Sequence, residues 1–374
     1  MKLLHVYSGN LYGGVEAMLV VLARDAGACP GLEPEFALCF EGRLAQELRA
    51  CGATVHILGA VRASRPASVM RARRALRALL GERRPDFVMC HSAWSYSMFG
   101  GTARRLDLPV GFWLHDAVRG RHWTERWAKL RTPDIVIYNS RYTGETVSAV
   151  FARARTALVH CPVAPPVRHK GDREAVRQEL GVAPDTVVII QVGRLERWKG
   201  HPLLLHALGF LGELPGWECW IVGGAQRAAE RAYEAQLRTL AVSRGVRKRV
   251  RFLGERSDVP RVLAAADIFC QPNAQAEPFG VAIIEALYAE LPVVATDMGG
   301  PTEILGGQSC GVLVPPRRPE ELAKALRALI EHPSGRHAMG ALGPRRAREL
   351  SDPGAQLQRL HDVLTRATAE RSAR

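Results

Sequence analysis

The sequence has no apolar run approaching the roughly eighteen residues that a membrane-spanning helix needs, so no transmembrane segment is expected. Its eight cysteines, at 29, 39, 51, 90, 161, 219, 270 and 310, form no C-x-x-C pair. That scatter argues against a zinc ribbon or a disulfide framework and fits reduced, buried thiols. No D-x-D occurs, so a metal-dependent phosphate clamp loses support. The lack of a G-x-S-x-G elbow with a Ser-His-Asp order, and of H-E-x-x-H, argues against a hydrolase triad and a zinc protease. There is no helix-turn-helix, zinc-finger or RNP-like pattern, and nucleic acid is not expected as a partner. The start, Met1 to Ser8, lacks the long apolar region and small-residue cleavage site of a signal peptide, which predicts a cytoplasmic protein.

What is present is length and alternation. With 374 residues, 47% apolar and 24% charged, the chain predicts two domains with substantial cores. Short apolar runs alternate with helical patterns. Strands are predicted at 2–8, 35–40, 54–58, 86–90, 109–114, 134–138 and 156–161. A second series lies at 187–192, 218–222, 250–253, 267–271, 292–296 and 311–314. Between the two series, Cys161 to Gly171 carries three prolines in five residues and reads as a linker. The expected domains are 1–163, 164–350 and a returning helix in 351–374. The fold class is α/β: two tandem Rossmann-like, doubly wound domains, with ligands bound beyond the carboxyl ends of the strands, in the cleft between the domains.

Acidic residues are in deficit, 37 against 51 Lys and Arg, for a net charge of +14. Much of the excess lies in 62–84, where Glu82 is the single acid, and in 119–131, where Trp123 and Trp127 interleave with cations. Two readings stand: a solvated arginine-rich surface, or docking to an anionic membrane, where Trp suits the interface. On the second, the protein sits peripherally on the inner face of the cell membrane.

The segment Gln275 to Ala286 holds two carboxylates eight positions apart. A helix starting near Gly280 puts Glu285 in its second turn and leaves Glu277 on the loop before it. Helix N-termini suit phosphates, whereas carboxylates, being acceptors only, suit hydroxyls. A nucleotide sugar meets both demands. Arg194 and Lys199 leave the end of a predicted strand beside Gly193 and suit a diphosphate; Arg197 reads as solvated. Gly13 and Gly14 follow the first strand, as a tight turn or a close approach to an anion. His115 sits at a strand's carboxyl end, as a structural or a functional imidazole. Ser140 is most simply an N-cap, with Asn139 beside it; as cleft-lining groups these two and Glu16 are acceptor-side candidates.

Taken together, these residues resemble the family 4 retaining glycosyltransferases of the GT-B fold. The match is strongest over Val192-Gly193-Arg194, Lys199-Gly200, Phe252-Leu253-Gly254, the Glu277/Glu285 pair, Pro292-Val293-Val294 and Gly299-Gly300-Pro301-Thr302-Glu303. The resemblance implies that Arg194 and Lys199 hold the donor diphosphate and that Glu285 binds the ribose hydroxyls. Glu277, with the backbone of Phe279 and Gly280, would hold the transferred sugar. Gly14 would approach the phosphates, His115 would hydrogen-bond the sugar near its anomeric centre, and Gly254 to Arg256 would border the base. Acceptor specificity would lie in 9–16, 62–70, 92–98 and 116–126. Two departures stand out: Cys161 to Ala164 replaces the family's Asn-Gly-Val/Ile-Asp, and Glu290 replaces a glycine.

The resemblance implies transfer of a hexosyl unit from a nucleotide diphosphate sugar, UDP by family frequency, to a lipid-linked or small hydroxyl acceptor. Retention would follow front-face displacement, with no cofactor beyond the co-substrate, no metal, and Glu277 not a nucleophile. A GT-B nucleotide-sugar epimerase and a non-catalytic, membrane-recruited nucleotide-sugar-binding protein are the alternatives.

Overall fold

A computed structural model describes every residue except Leu11, Arg168, Gln226, Ala373 and Arg374. Leu11 of the glycine loop, Arg168 of the proline-rich linker and the last two residues of the tail therefore lie outside the described residues. The chain divides into two compact units, Met1–Val163 with Ser351–Arg374, and Ala164–Leu350.

The first unit holds a seven-stranded sheet: β1 Lys2–Tyr7, β2 Glu33–Leu38, β3 Thr54–Ile57, β4 Phe87–His91, β5 Val110–Leu114, β6 Ile135–Tyr138 and β7 Thr156–Leu158. Its order is β3-β2-β1-β4-β5-β6-β7, parallel at every pairing. β4 and β5 are buried along their whole length, as expected of strands covered on both faces. The strand expected over 156–161 stops at Leu158. It is an edge strand, and its only neighbour, β6, ends at Tyr138 and turns into the helix Arg141–Thr146.

The second unit holds six parallel strands: β8 Val187–Val192, β9 Trp217–Val222, β10 Val250–Gly254, β11 Ile268–Gln271, β12 Val293–Thr296 and β13 Gly311–Val314. Their order is β10-β9-β8-β11-β12-β13. Both orders reverse direction beside the first strand of their sheet, the topology that leaves a crevice at the strands' carboxyl ends. Each sheet buries its own apolar cluster, around Val88, Phe99 and Phe112 in one and Ile189, Leu204 and Leu326 in the other.

The structure corrects several local expectations. The amphipathic pattern over 335–350 predicts one helix, and the structure has two, Pro333–Ala341 and Gly343–Ser351, because Pro344 lacks an N–H and its ring clashes with the preceding turn. The amphipathic stretch 94–106 predicts a helix, and the structure has short helical pieces with a π turn at Tyr96–Gly100. The amphipathic stretch 66–81 predicts a helix and the structure has it as Pro66–Arg83, whereas 116–126, read as an acceptor-side loop, feeds the helix Trp123–Ala128. The latter is nucleated by Glu125, whose carboxylate accepts from the backbone N–H of Arg121 and His122 at 2.9 and 3.3 Å. Glu290 stands at φ 61°. That left-handed conformation favours glycine and costs another residue about 1 kcal/mol, which accounts physically for a glycine in the family pattern.

The terminal helix Pro353–Ser372 is part of the first unit. Arg359 Nε donates to Leu158 O at 2.6 Å, and Arg371 reaches both Asp134 oxygens at 3.3 Å.

Candidate active site

In the second unit the site is built at the ends of β8, β11 and β12. The chain leaves β8 through Gly193 and Arg194 into the 3-10 turn Arg197–Lys199. Buried Gln191, on β8, donates to Lys199 O at 2.7 Å and fixes that turn. Lys199 then extends its ammonium to 2.7 Å from Glu277 Oε2, passing 4.0 Å from the centre of the Trp198 ring. Two more donors meet the same oxygen: Gln271 Nε2 at 2.6 Å and Asn273 Nδ2 at 2.7 Å. Glu277 Oε2 is thus saturated by three donors. Its Oε1 has no partner among the described residues and is left to accept from hydroxyls. Gln271, the last residue of β11, and Asn273, two residues beyond it, escaped the sequence reading because a polar residue at a strand end carries no periodic signal.

The backbone approaches that allow this convergence depend on two glycines. Gly200 stands at φ 72°, and a Cβ there would lie 1.7 Å from Pro272 O. Gly299 stands at φ 73°, with a Cβ position 2.3 Å from Glu277 O. Glu277 pairs with Gly299 in an isolated parallel bridge, and Gly300 N donates to Glu277 O at 2.8 Å. The Glu277 loop is therefore tied to the end of β12 by its backbone while its side chain is tied to β11 and Lys199.

The helix after this loop is Val281–Tyr288, with Gly280 at its N-cap and no side-chain cap. Ile283 N donates to Gly280 O at 2.9 Å, which leaves the N–H groups of Val281 and Ala282 for a ligand. Phe279 is buried. Glu285 lies in the second turn, half-buried, its carboxyl without a hydrogen bond among the described residues, and burial pushes that carboxyl up to about 7. Arg194 is partly exposed and lies 3.0 Å from Glu196. Arg256 is committed elsewhere, donating to Glu179 at 2.6 Å and Asp258 at 2.7 Å, and these hydrogen bonds raise its pKa further.

In the first unit, Gly13 is the extended N-cap of the helix Gly14–Arg24, at φ −169°, a conformation any residue adopts. Glu16, in that helix's first turn, is buried and accepts from Tyr7 at 2.8 Å. Asn139 and Ser140 hold the corner after β6. Ser140 Oγ accepts from Thr143 N at 3.1 Å, and Asn139 accepts from Thr143 Oγ1 at 2.9 Å and donates to His115 O at 3.4 Å. Ser140 is the N-cap of the helix Arg141–Thr146, and both residues are buried.

His115 does not stand alone. His91 Nδ1 lies 2.8 Å from His115 Nε2, and His91 Nε2 lies 2.8 Å from His5 Nδ1. Strand register explains the row: His5 pairs with Met89, and His91 pairs with Trp113. Each histidine therefore sits two residues further along the same sheet face as the last. The rings of His91 and His115 stack at 5.1 Å and 9°, with Trp113 stacked on both. Burial lowers His5 and His115 to about 3 and His91 well below its ordinary value, so all three are neutral. Neutral rings carry one proton each, and His5 Nε2 is buried without a partner. An orphaned acceptor costs less than an orphaned N–H. The protons therefore sit on Nδ1 of His5, of His91 and of His115, and His115 presents an N–H donor.

Two doubly wound parallel sheets with a lysine-carboxylate centre at the strand ends define a GT-B protein. The solved structure of Anabaena HepE in complex with UDP-glucose matches at a TM-score of 0.86, 24% identity, covering 98% of this chain and 99% of that one. WaaG, a glycosyltransferase involved in lipopolysaccharide biosynthesis, matches at 0.74 and 18% identity, covering 98% and 100%. The chain belongs to the family 4, group 1 glycosyltransferases: residues 12–165 match the model "Glycosyltransferase Family 4" and residues 172–346 match "Glycosyl transferases group 1". It is 36% identical to D-inositol 3-phosphate glycosyltransferase of Mycobacteroides abscessus over 196 residues, 49% of this chain and 43% of that one. It is 32% identical over 224 residues to the GDP-mannose-dependent monoacylated alpha-(1-6)-phosphatidylinositol monomannoside mannosyltransferase of Corynebacterium glutamicum, 56% of each chain. The matches thus span about half the length of these relatives.

Proposed function

We propose that this protein transfers a hexosyl unit from a nucleotide diphosphate sugar to a hydroxyl acceptor, with retention of configuration and without a metal. The observation that carries this reading is Glu277, whose Oε2 gathers Lys199, Gln271 and Asn273 while Oε1 stays unpartnered. Such a carboxylate holds sugar hydroxyls in fixed orientation, and its neighbours Lys199 and Arg194 balance the charge that grows on a departing diphosphate. Glu285 takes the ribose hydroxyls, and the N–H groups after Gly280 face the phosphates. His115, neutral and donating through Nδ1, hydrogen-bonds the sugar. In front-face displacement the departing diphosphate oxygen takes the acceptor's proton, so Glu277 acts by positioning. No cofactor beyond the nucleotide sugar is needed.

UDP is the proposed nucleotide, supported by family frequency and by the fold neighbour bound to UDP-glucose. GDP is the comparison, since one relative is named for GDP-mannose. Relatives named for inositol phosphate and phosphatidylinositol acceptors support a cyclitol or lipid-linked hydroxyl, in the synthesis of envelope glycolipid, polysaccharide or glycoconjugate. The basic segments 62–84 and 119–131 are read as a surface for an anionic membrane, on a cytoplasmic, peripherally bound protein. No described helix is long and apolar enough to cross a membrane.

A thermal-shift panel of UDP-glucose, GDP-mannose and ADP-glucose tests the donor, because a ligand that binds the folded state raises its melting temperature. One nucleotide sugar is expected to shift the midpoint. No shift with any of them, or inversion of the anomeric centre in the product by NMR, overturns the reading.

A further inference from the structure

The first unit carries a second concave feature that shares no residue with the site above. It is an open groove of about 370 Å³, and Pro66, Val69, Met70 and Arg73 of the helix Pro66–Arg83 form one of its walls. Their spacing places them on one helix face. Trp123 and Trp127, one turn apart in the helix Trp123–Ala128 and packed edge to face at 5.6 Å, form another. The guanidinium of Arg73 is spent on Met98 O, at 2.6 Å from Nε, so the arginine contributes its stem.

Two properties set the groove apart. Three of the nine exposed large apolar side chains among the described residues line it: Met70, Trp123 and Trp127, with Trp127 55% exposed. Single exposed apolar residues are ordinary, but a cluster marks a contact surface. The same two segments also carry exposed cations, Arg62, Arg65, Arg71, Arg74, Arg121 and Arg126, and none of these forms an ion pair among the described residues. Uncompensated arginines beside an apolar trough complement a ligand with a phosphate at one end and a hydrocarbon at the other. The volume is that of a small-ligand site.

We propose that this groove receives an acyl chain of an anionic membrane lipid, with arginines of 62–77 and 119–126 on the headgroup phosphates. The inference rests on the reading of a membrane-bound protein and sharpens it, from attraction by charge to capture of a chain.

Vesicles of equal parts phosphatidylcholine and phosphatidylglycerol, compared with pure phosphatidylcholine, test both levels. Brominated acyl chains on the phosphatidylglycerol are expected to quench tryptophan emission, and a Trp123→Phe/Trp127→Phe variant is expected to lose that quenching. Trp127→Ser and Met70→Ser, both at exposed positions, are expected to weaken binding by about tenfold with an unchanged melting temperature. Binding without quenching, unaffected by Trp127→Ser, overturns the groove and leaves docking by charge. No preference for the anionic vesicles overturns the membrane reading and the groove together. Competition by inorganic phosphate as strong as that by phosphatidylglycerol vesicles overturns the lipid as ligand. A dimer by light scattering that dissociates in Trp127→Ser assigns the groove to a second copy instead. None of these outcomes touches the donor, which the nucleotide-sugar panel reads independently.

Discussion

Lys199 and Glu277, 78 residues apart in sequence, meet at 2.7 Å, and the oxygen they share also takes the amides of Gln271 and Asn273. The lysine is thereby aimed by a carboxylate and stacked beside Trp198, so little reorganisation remains when a diphosphate arrives. On the proposed reading its charge is preorganised for the leaving group, which is where such a charge acts on rate.

Lys199→Ala should lower kcat by roughly a hundred- to a thousandfold, about 2.7–4 kcal/mol, as loss of one oxyanion donor does. Steady-state kinetics with the donor found by the nucleotide-sugar panel check it. Near-normal turnover would remove Lys199 from the charge-stabilising role.

Gly200→Ala should destabilise the second unit by more than about 2 kcal/mol, since its Cβ position lies 1.7 Å from Pro272 O at φ 72°. The loss should appear as a lower denaturant midpoint. An unchanged midpoint would mean that the Lys199 turn shifts freely away from the end of β11.

Glu285 is raised to about 7, above its unfolded value, so between the two values the folded state binds more protons than the unfolded. Its contribution to stability should therefore be complete in mild acid and fall as pH rises from about 4.5 through 7. Glu285→Gln should flatten that fall in a series of thermal melts, and should weaken nucleotide-sugar binding by removing the ribose acceptor. Parallel pH profiles for the two proteins would show that Glu285 stays ionised in the fold.

The histidine row titrates with the opposite sign. His5 and His115 are lowered to about 3, and His91 well below its ordinary value, so their stabilising contribution is whole above about 6.5 and lost as pH falls. Nitrogen-15 NMR of the folded protein should show three neutral imidazoles at pH 6, each protonated on Nδ1. A charged imidazole at that pH, or His115 protonated on Nε2, would dissolve the assignment of His115 as an N–H donor. His91→Gln should alter the His115 signal even where the fold is intact.

Much of this molecule was legible in local pattern. Among the described residues each of the thirteen strands overlaps the apolar run read for it, and the helix Val281–Tyr288 starts beside Gly280, as expected. Short capped helices were not legible. Trp123–Ala128 has only six residues, too few to show a period, and is held by the Glu125 carboxylate instead.

The sequence by itself determined the α/β class, the order of strands along the chain and which residues stand at strand ends, because side-chain periodicity and turn chemistry are local. Only the tertiary structure decided which of those ends meet. Strand order and register set His5 and His91 beside His115, and the close approaches at Gly200 and Gly299 bring Lys199, Gln271 and Asn273 onto one oxygen of Glu277. These are contacts between segments tens of residues apart, fixed by packing across a sheet, and no period within a single segment encodes them.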